Sequence, residues 1–274
     1  MRNAELLQRK WRKWRGSFAG FMKTLDRDHV PYLSHSKIST VERCPQCYYT
    51  QYILGKKPSS DALTTGTLFH RAAAALYEAI QSNHPTSRIV RQLSPKHPNP
   101  TDRPFLNNAI KTMRRNVWDG YEIVSVESLF FMDLAAALPP VIGIVDLILK
   151  QDNSYIVVDH KTSKSFGAPD ADQLVLYAEY VKRFLGAGPC VGAFDEYRLV
   201  SDLKRARKAV FRRTPISVEA SRLQDLIRRY RKGWKVIEKI HREGKAIPSD
   251  DCWICNPWNY QLYQRACLIQ CKMR

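Results

Sequence analysis

VIGIVDLILKQDNSYIVVDHKTSK, residues 141–164, is the stretch from which the fold is read. It divides into VIGIVDLILK and SYIVVDHKT, two runs rich in Val and Ile, with Gln151-Asp152-Asn153 between them. β-branched runs flanking a cluster of turn formers predict a β-hairpin. Asp146, Asp159 and Lys161 interrupt the apolar runs. A carboxylate in an apolar strand is costly unless something pairs with it. Side chains alternate along a strand, so Asp159 and Lys161 share a face. If the register sets Asp146 opposite, two carboxylates and an ammonium converge, a set able to hold a divalent metal and a water. A surface hairpin with an ordinary salt bridge is the other reading of these residues alone.

Composition narrows the setting. The chain has 274 residues, 44% hydrophobic and 26% charged, which is globular rather than disordered. Its 44 Lys and Arg against 26 Asp and Glu give a formal net charge of +18. That excess favours a polyanionic partner, nucleic acid over a membrane surface. No apolar run reaches the roughly 20 residues of a membrane span. The first residues are basic and amphipathic, but Glu5 and Asp26 argue against a mitochondrial leader, and no secretory signal is visible. A cytoplasmic or nucleoid-associated location is expected. The cysteines are Cys44, Cys47, Cys190, Cys252, Cys255, Cys267 and Cys271. An odd number without a signal argues against a disulfide framework, and the crowding near the C-terminus suggests metal binding.

Outward from the hairpin, Leu6, Leu7, Trp11, Trp14 and Phe18 recur at helical spacing in a basic segment, residues 1–35. Ser36 or Ser39 is positioned to cap a helix starting near Val41. Cys44-Pro45 precedes Tyr48, Tyr49 and Tyr52, and Cys47 reads as a buried hydrophobe or a reserve ligand. A helix is expected over 61–80, carrying His70. Residues 81–104 hold five prolines and read as a loop. A helix from Phe105 and a strand over 121–131 follow, the strand interrupted by Glu127. After the hairpin, Gln173 and Tyr177 stand at i and i+4 on a further helix. A strand is expected over 191–200. Residues 198–213 and 222–245 hold basic residues in large excess and suggest contact with a nucleic-acid backbone. The tail, 248–274, contains Cys252-x2-Cys255, Cys267 and Cys271, which have metal-ligand character.

From about Cys44 to Cys267 this set of motifs resembles the RecB-like branch of the PD-(D/E)XK nuclease superfamily. The matching residues, in family order, are Cys44, His70 in G-x3-H, Asp146, Asp159-x-Lys161, and Gln173 with Tyr177 in Q-x3-Y. The resemblance implies an α/β fold: a mixed central sheet flanked by helices, with a Cys-rich C-terminal segment tied to the N-terminal part. Residues 36–274 would form a single nuclease domain. Catalysis would involve Asp146, Asp159, Lys161, Gln173 and Tyr177. A Mg²⁺ or Mn²⁺ ion would be held by His70, Asp146, Asp159 and the His160 carbonyl, with Glu127 nearby.

In iron–sulfur relatives one remote cysteine joins three near the C-terminus. Here that implies a [4Fe–4S] cluster on Cys44, Cys252, Cys255 and a displaced fourth ligand, Cys267 or else Cys271, with zinc as the rival metal. The implied activity is hydrolysis of DNA, as an exonuclease on single-stranded ends. Alternatives are a structure-specific endonuclease, a CRISPR-type adaptation nuclease, or a non-catalytic nucleic-acid-binding module. No phosphate loop of the G-x4-G-K-(S/T) type is present, so a helicase or another replication or recombination protein would be a separate partner.

Overall fold

The computed structural model describes residues 3–56, 61–86, 97–186, 188–252 and 255. Among them no helix is long and apolar enough to cross a membrane. The chain forms two compact units, neither continuous in sequence. One comprises Met1–Pro58, Phe130–Gly143 and Gln224–Arg274; the other comprises Ser59–Leu129 and Ile144–Leu223.

A mixed five-stranded sheet in the order β1-β2-β3-β4-β5 is the frame. Its strands are β1 (Glu122–Met132), β2 (Val141–Gln151), β3 (Ser154–Ser163), β4 (Cys190–Arg198) and β5 (Phe211–Ile216). The hairpin forms, with β2 and β3 antiparallel in the register Leu147↔Val158 to Gln151↔Ser154. Gln151 is therefore paired, and the turn shortens from the three residues expected to Asp152-Asn153. Asp152 takes a left-handed φ of 54°, which a short polar side chain tolerates. β3 and β4 run parallel, Tyr155↔Cys190 to Ser163↔Arg198. β5 returns antiparallel to β4.

Parallel strands need a crossover, and here the helix α7 (Asp172–Phe184) supplies it. Gly192 lets this helix approach β4: a Cβ there would stand 2.8 Å from the Leu174 Cβ. The helix α5 (Asp61–Gln81) buries Leu68, Phe69, Ala72, Ala73 and Leu76 against Leu106, Ala109, Ile110 and Met113 of α6 (Arg103–Arg115) and against Tyr197. Tyr77 carries α5 onto Leu147, Leu149 and Val158 of the hairpin. The two helices thus fix His70 and the Gln173–Tyr177 pair relative to the strands.

The basic run over 198–213 is only partly a solvated surface. β5 begins within it; Arg213 turns inward, and the exposed Arg212 reaches a buried carboxylate. Arg213 meets the fully buried Asp195 at 2.7 Å, and Arg212 meets Glu196 at 2.7 Å. Arg213 also lies over the Trp118 ring at 3.7 Å, while the Trp118 indole N–H donates to Asp195 at 3.0 Å. Two arginines of that run therefore balance carboxylates buried in β4.

In the other unit, the apolar positions of residues 6–18 do not form one helix. α1 (Asn3–Lys13) ends, and Ser17 caps α2 (Phe18–Arg27) by accepting from the Gly20 N–H at 3.2 Å. Leu6 is exposed, whereas Trp11 and Phe21 pack edge to face. α3 (His35–Arg43) is capped by Ser34, so it ends close to where the sequence suggested a helix would begin. The reason is Pro45, which bars Cys44 from helical dihedrals; Cys44 is extended (φ −164°, ψ 114°) and starts the short helix α4 (Pro45–Tyr48). α8 (Ala220–Glu243) buries a stripe of Leu226, Tyr230, Gly233, Ile237 and Ile240 at helical spacing. Its Arg222, Arg228, Arg231, Lys232, Lys235 and Lys239 are exposed.

Candidate active site and thiol group

The hairpin delivers the acidic residues. Beyond Leu147↔Val158 the carboxylate of Asp146 accepts the His160 backbone N–H at 2.9 Å. His70, from α5, places Nδ1 3.2 Å from the same Asp146 oxygen. Glu127, from β1, completes a group whose ligand atoms all lie within 4.8 Å of one another: His70, Glu127 and Asp146. Glu127 has a left-handed φ of 48° inside a strand. That conformation is uncommon for a side chain with a Cβ, and such strain concentrates at functional sites.

A second constellation adjoins it in the chain. Asp159, 1% exposed, receives Lys161 Nζ on Oδ2 at 2.7 Å and Gln173 Nε2 on Oδ1 at 2.7 Å. The same Lys161 ammonium donates to Gln173 Oε1 at 2.8 Å. Gln173 Nε2 also donates to the Tyr177 hydroxyl at 2.7 Å, one helical turn on. The residues expected to gather therefore fall into two linked sets: Asp146 with His70 and Glu127, and Asp159 with Lys161, Gln173 and Tyr177. The His160 ring stands apart from both. It is buried, stacked 5.7 Å from Tyr77, so what this residue offers the site is backbone.

Crowded negative charge shapes the proton affinities. Burial disfavours a charged His70, but the Asp146 carboxylate and the charges of Asp159 and Glu127 outweigh it and raise the ring to about 9. Enclosure by the surrounding chain and the Asp146 charge push Glu127 up to about 7. Burial and the Asp146 charge raise Asp159 to about 6 against the pull of Lys161. Burial works against ionised Asp146 too, yet the His70 contact holds its pKa below the ordinary value. Oxygen donors with one imidazole suit a hard divalent cation, and a cation would relieve the repulsion among the carboxylates.

The sequence model of the PD-(D/E)XK nuclease superfamily matches residues 32–260. This chain belongs to the PD-(D/E)XK nuclease superfamily. A PD-(D/E)XK protein acts on nucleic acid, which accords with the chain's net charge of +18. No curated protein matches the chain by sequence. Among solved structures, a protein from Eubacterium rectale, provisionally named an exonuclease, is similar in fold. It aligns with TM-score 0.51 and 11% identity over 87% of this chain and 92% of that one. A second structure, SSO0001, aligns with TM-score 0.38 and 15% identity over 90% of this chain and 96% of that one.

Four cysteines of this superfamily member form a separate group. Cys44, Cys47, Cys252 and Cys255 are buried together, joining the N-terminal and C-terminal parts of the chain. Cys44 Sγ lies 3.6 Å from Cys255 Sγ, and Cys47 Sγ lies 3.6 Å from Cys252 Sγ and 3.7 Å from Cys255 Sγ. Hydrogen bonding from the Cys255 and Cys47 side chains holds the Cys44 thiol far below the ordinary range. Among the described residues the fourth thiol beside Cys44, Cys252 and Cys255 is Cys47. Sequence reasoning had given that place to Cys267 or Cys271, both of which lie outside the described residues. The sequence signal for the set that does gather is the repeated C-x2-C spacing at 44–47 and 252–255. Asp195, Glu196, Arg212 and Arg213 were also unforeseen as ion pairs.

Proposed function

We propose that this protein is a metal-dependent deoxyribonuclease that works as an exonuclease on single-stranded DNA ends with Mg²⁺ or Mn²⁺. The observation that supports this reading best is the linked constellation of Asp159, Lys161 and Gln173 beside the His70–Glu127–Asp146 group. The fold-level likeness to a protein provisionally named an exonuclease agrees with it. His70, Glu127, Asp146 and, with a small shift of its partners, Asp159 would hold the ion. When bound, such an ion polarises a phosphate oxygen and lowers the pKa of water.

The protein's own groups do the rest. Lys161, steadied by Asp159 and the Gln173 carbonyl, carries its ammonium to where negative charge develops on the phosphate. Gln173, on the same face of α7 as Tyr177, ties that lysine to the Tyr177 hydroxyl. His70, protonated in the ion-free site, gives up its proton when the ion is held. Hydrolysis forms a bond from water oxygen to phosphorus and breaks the bond to the leaving ester oxygen, which takes up a proton. Exposed arginines and lysines on α8 supply cations for the DNA backbone, a contact that salt should weaken.

End-labelled linear and circular single-stranded DNA, incubated with Mg²⁺ or Mn²⁺, tests the proposal. Progressive loss of the linear strand with the circle intact is expected. Cleavage of the circle would replace exonuclease with endonuclease. Cleavage of neither, across several divalent metals, would leave a binding module.

A further inference from the structure

The resemblance to iron–sulfur nucleases implies a cubane on one N-terminal and three C-terminal cysteines. The thiol group does not fit that description. Its four ligands come as two C-x2-C pairs, Cys44/Cys47 and Cys252/Cys255, all buried. Three of the sulfur separations are 3.6, 3.6 and 3.7 Å, and all four ligand atoms lie within 4.8 Å of one another. These are far longer than the roughly 2.05 Å of a disulfide. They do match the edge of a tetrahedron around one ion: a zinc–sulfur bond of about 2.3 Å gives edges of about 3.8 Å. A [4Fe–4S] cubane sets a separate iron behind each thiolate and spreads the four sulfurs beyond such a tetrahedron.

Local backbone supports the smaller site. Pro45 holds Cys44 extended, and the Cys47 N–H points back at Cys44 Sγ at 3.4 Å. In the other pair the Cys255 N–H donates to the Cys252 carbonyl at 3.1 Å, turning that pair tightly. Two tight C-x2-C turns facing one another form the arrangement of a closed, four-thiolate structural site, with no position left for water or substrate.

We infer that Cys44, Cys47, Cys252 and Cys255 bind a single zinc ion in place of an iron–sulfur cluster. The ion joins segments more than 200 residues apart in sequence that belong to one compact unit, so it acts on folding and not on electron transfer. This inference is independent of the exonuclease proposal, since the thiol group shares no residue with the carboxylate site.

The test is metal analysis of the full chain purified without oxygen, with sulfide assay and a visible spectrum, for wild type, Cys47→Ser and the double variant Cys267→Ser/Cys271→Ser. One zinc per chain, no colour and no sulfide are expected in wild type and in the double variant, with zinc lost from Cys47→Ser. Because Cys47→Ser can misfold, wild type and the double variant are also exchanged with Co²⁺. Both should show the intense red-region bands of tetrahedral tetrathiolate cobalt, and stripping the metal should lower the Tm by at least about 10 °C. Iron in the purified chain, zinc retained by Cys47→Ser, cobalt bands lost in the double variant, or no tetrathiolate cobalt spectrum in wild type would each overturn the inference.

Discussion

The protein has two groups able to hold metal, and they are built on opposite terms. The thiol group is closed: four buried sulfurs from two tight turns, every ligand position supplied by protein. The carboxylate group is open and under stress. Glu127 is exposed and left-handed, Lys161 is 37% exposed, and three proton affinities are displaced upward, those of Glu127 and Asp159 by burial and the Asp146 charge and that of His70 by the carboxylates around it. Closed sites with saturated ligands contribute to folding; sites that keep positions for water and substrate carry chemistry. The contrast separates what this chain uses to hold its shape from what it offers to nucleic acid, and the separation can be attacked from either side.

The largest effect is expected at the open site. Lys161→Ala should lower the hydrolysis rate about 10²–10³-fold, the loss seen when one preorganised donor to a developing charge is removed. Its Tm should stay within a few °C of wild type, as judged by circular dichroism. At the closed site the pattern reverses. Cys252→Ser should lower the Tm, and its activity measured well below that Tm should approach wild type. If Cys252→Ser abolished activity while leaving stability intact, the two groups would not divide the work in this way.

Acidity should distinguish them next. In the ion-free protein His70 binds its proton more tightly than in the unfolded chain, so its stabilising contribution is present below about pH 6.5 and lost as the pH rises through about 9. Glu127 and Asp159, raised to about 7 and about 6, act in the same direction from their ordinary values upward. With a chelator too weak to strip the thiol group, the Tm should fall from pH 6 to pH 9 by on the order of 5 °C. Stabilisation by Mn²⁺ should grow over the same range, because the ion competes with those protons. A Tm that rose with pH in the chelated protein would contradict the charge arrangement described above.

The smallest stability effect is expected at Glu127→Gly. Relief of a left-handed side chain, about 1–2 kcal/mol, is offset by the about 0.5–1 kcal/mol that glycine costs in chain entropy. Stability measured in urea should therefore shift by less than about 1 kcal/mol. Loss of the carboxylate should weaken Mn²⁺ by at least about tenfold, or 1.4 kcal/mol, by calorimetric titration.

Much of the frame was legible in the sequence because it rests on local periodicity. The alternation of Val and Ile around Asp159 and Lys161 specifies a strand and its faces, and Gln173 and Tyr177 need only helical spacing to meet. What escaped depends on partners remote in sequence. Arg212 and Arg213 look like surface charge until β5 is paired with β4, where Asp195 and Glu196 wait for them. Cys47 reads from the sequence as a buried hydrophobe or a reserve ligand, since its partners Cys252 and Cys255 are some 205 and 208 residues away. The start of α3 was misplaced because Pro45 acts on the residue before it, ending one helix at Cys44 instead of letting another begin at Val41. The strain at Glu127 is a property of the folded backbone and has no mark in the sequence.

The most direct test of the central claim is the rate of hydrolysis of end-labelled single-stranded DNA in Mn²⁺, with wild type and folded Lys161→Ala side by side. The account predicts metal-dependent loss of the label by wild type and at least about a hundredfold less by the variant. Equal rates in the two proteins, or no hydrolysis by wild type under any divalent metal, would contradict it.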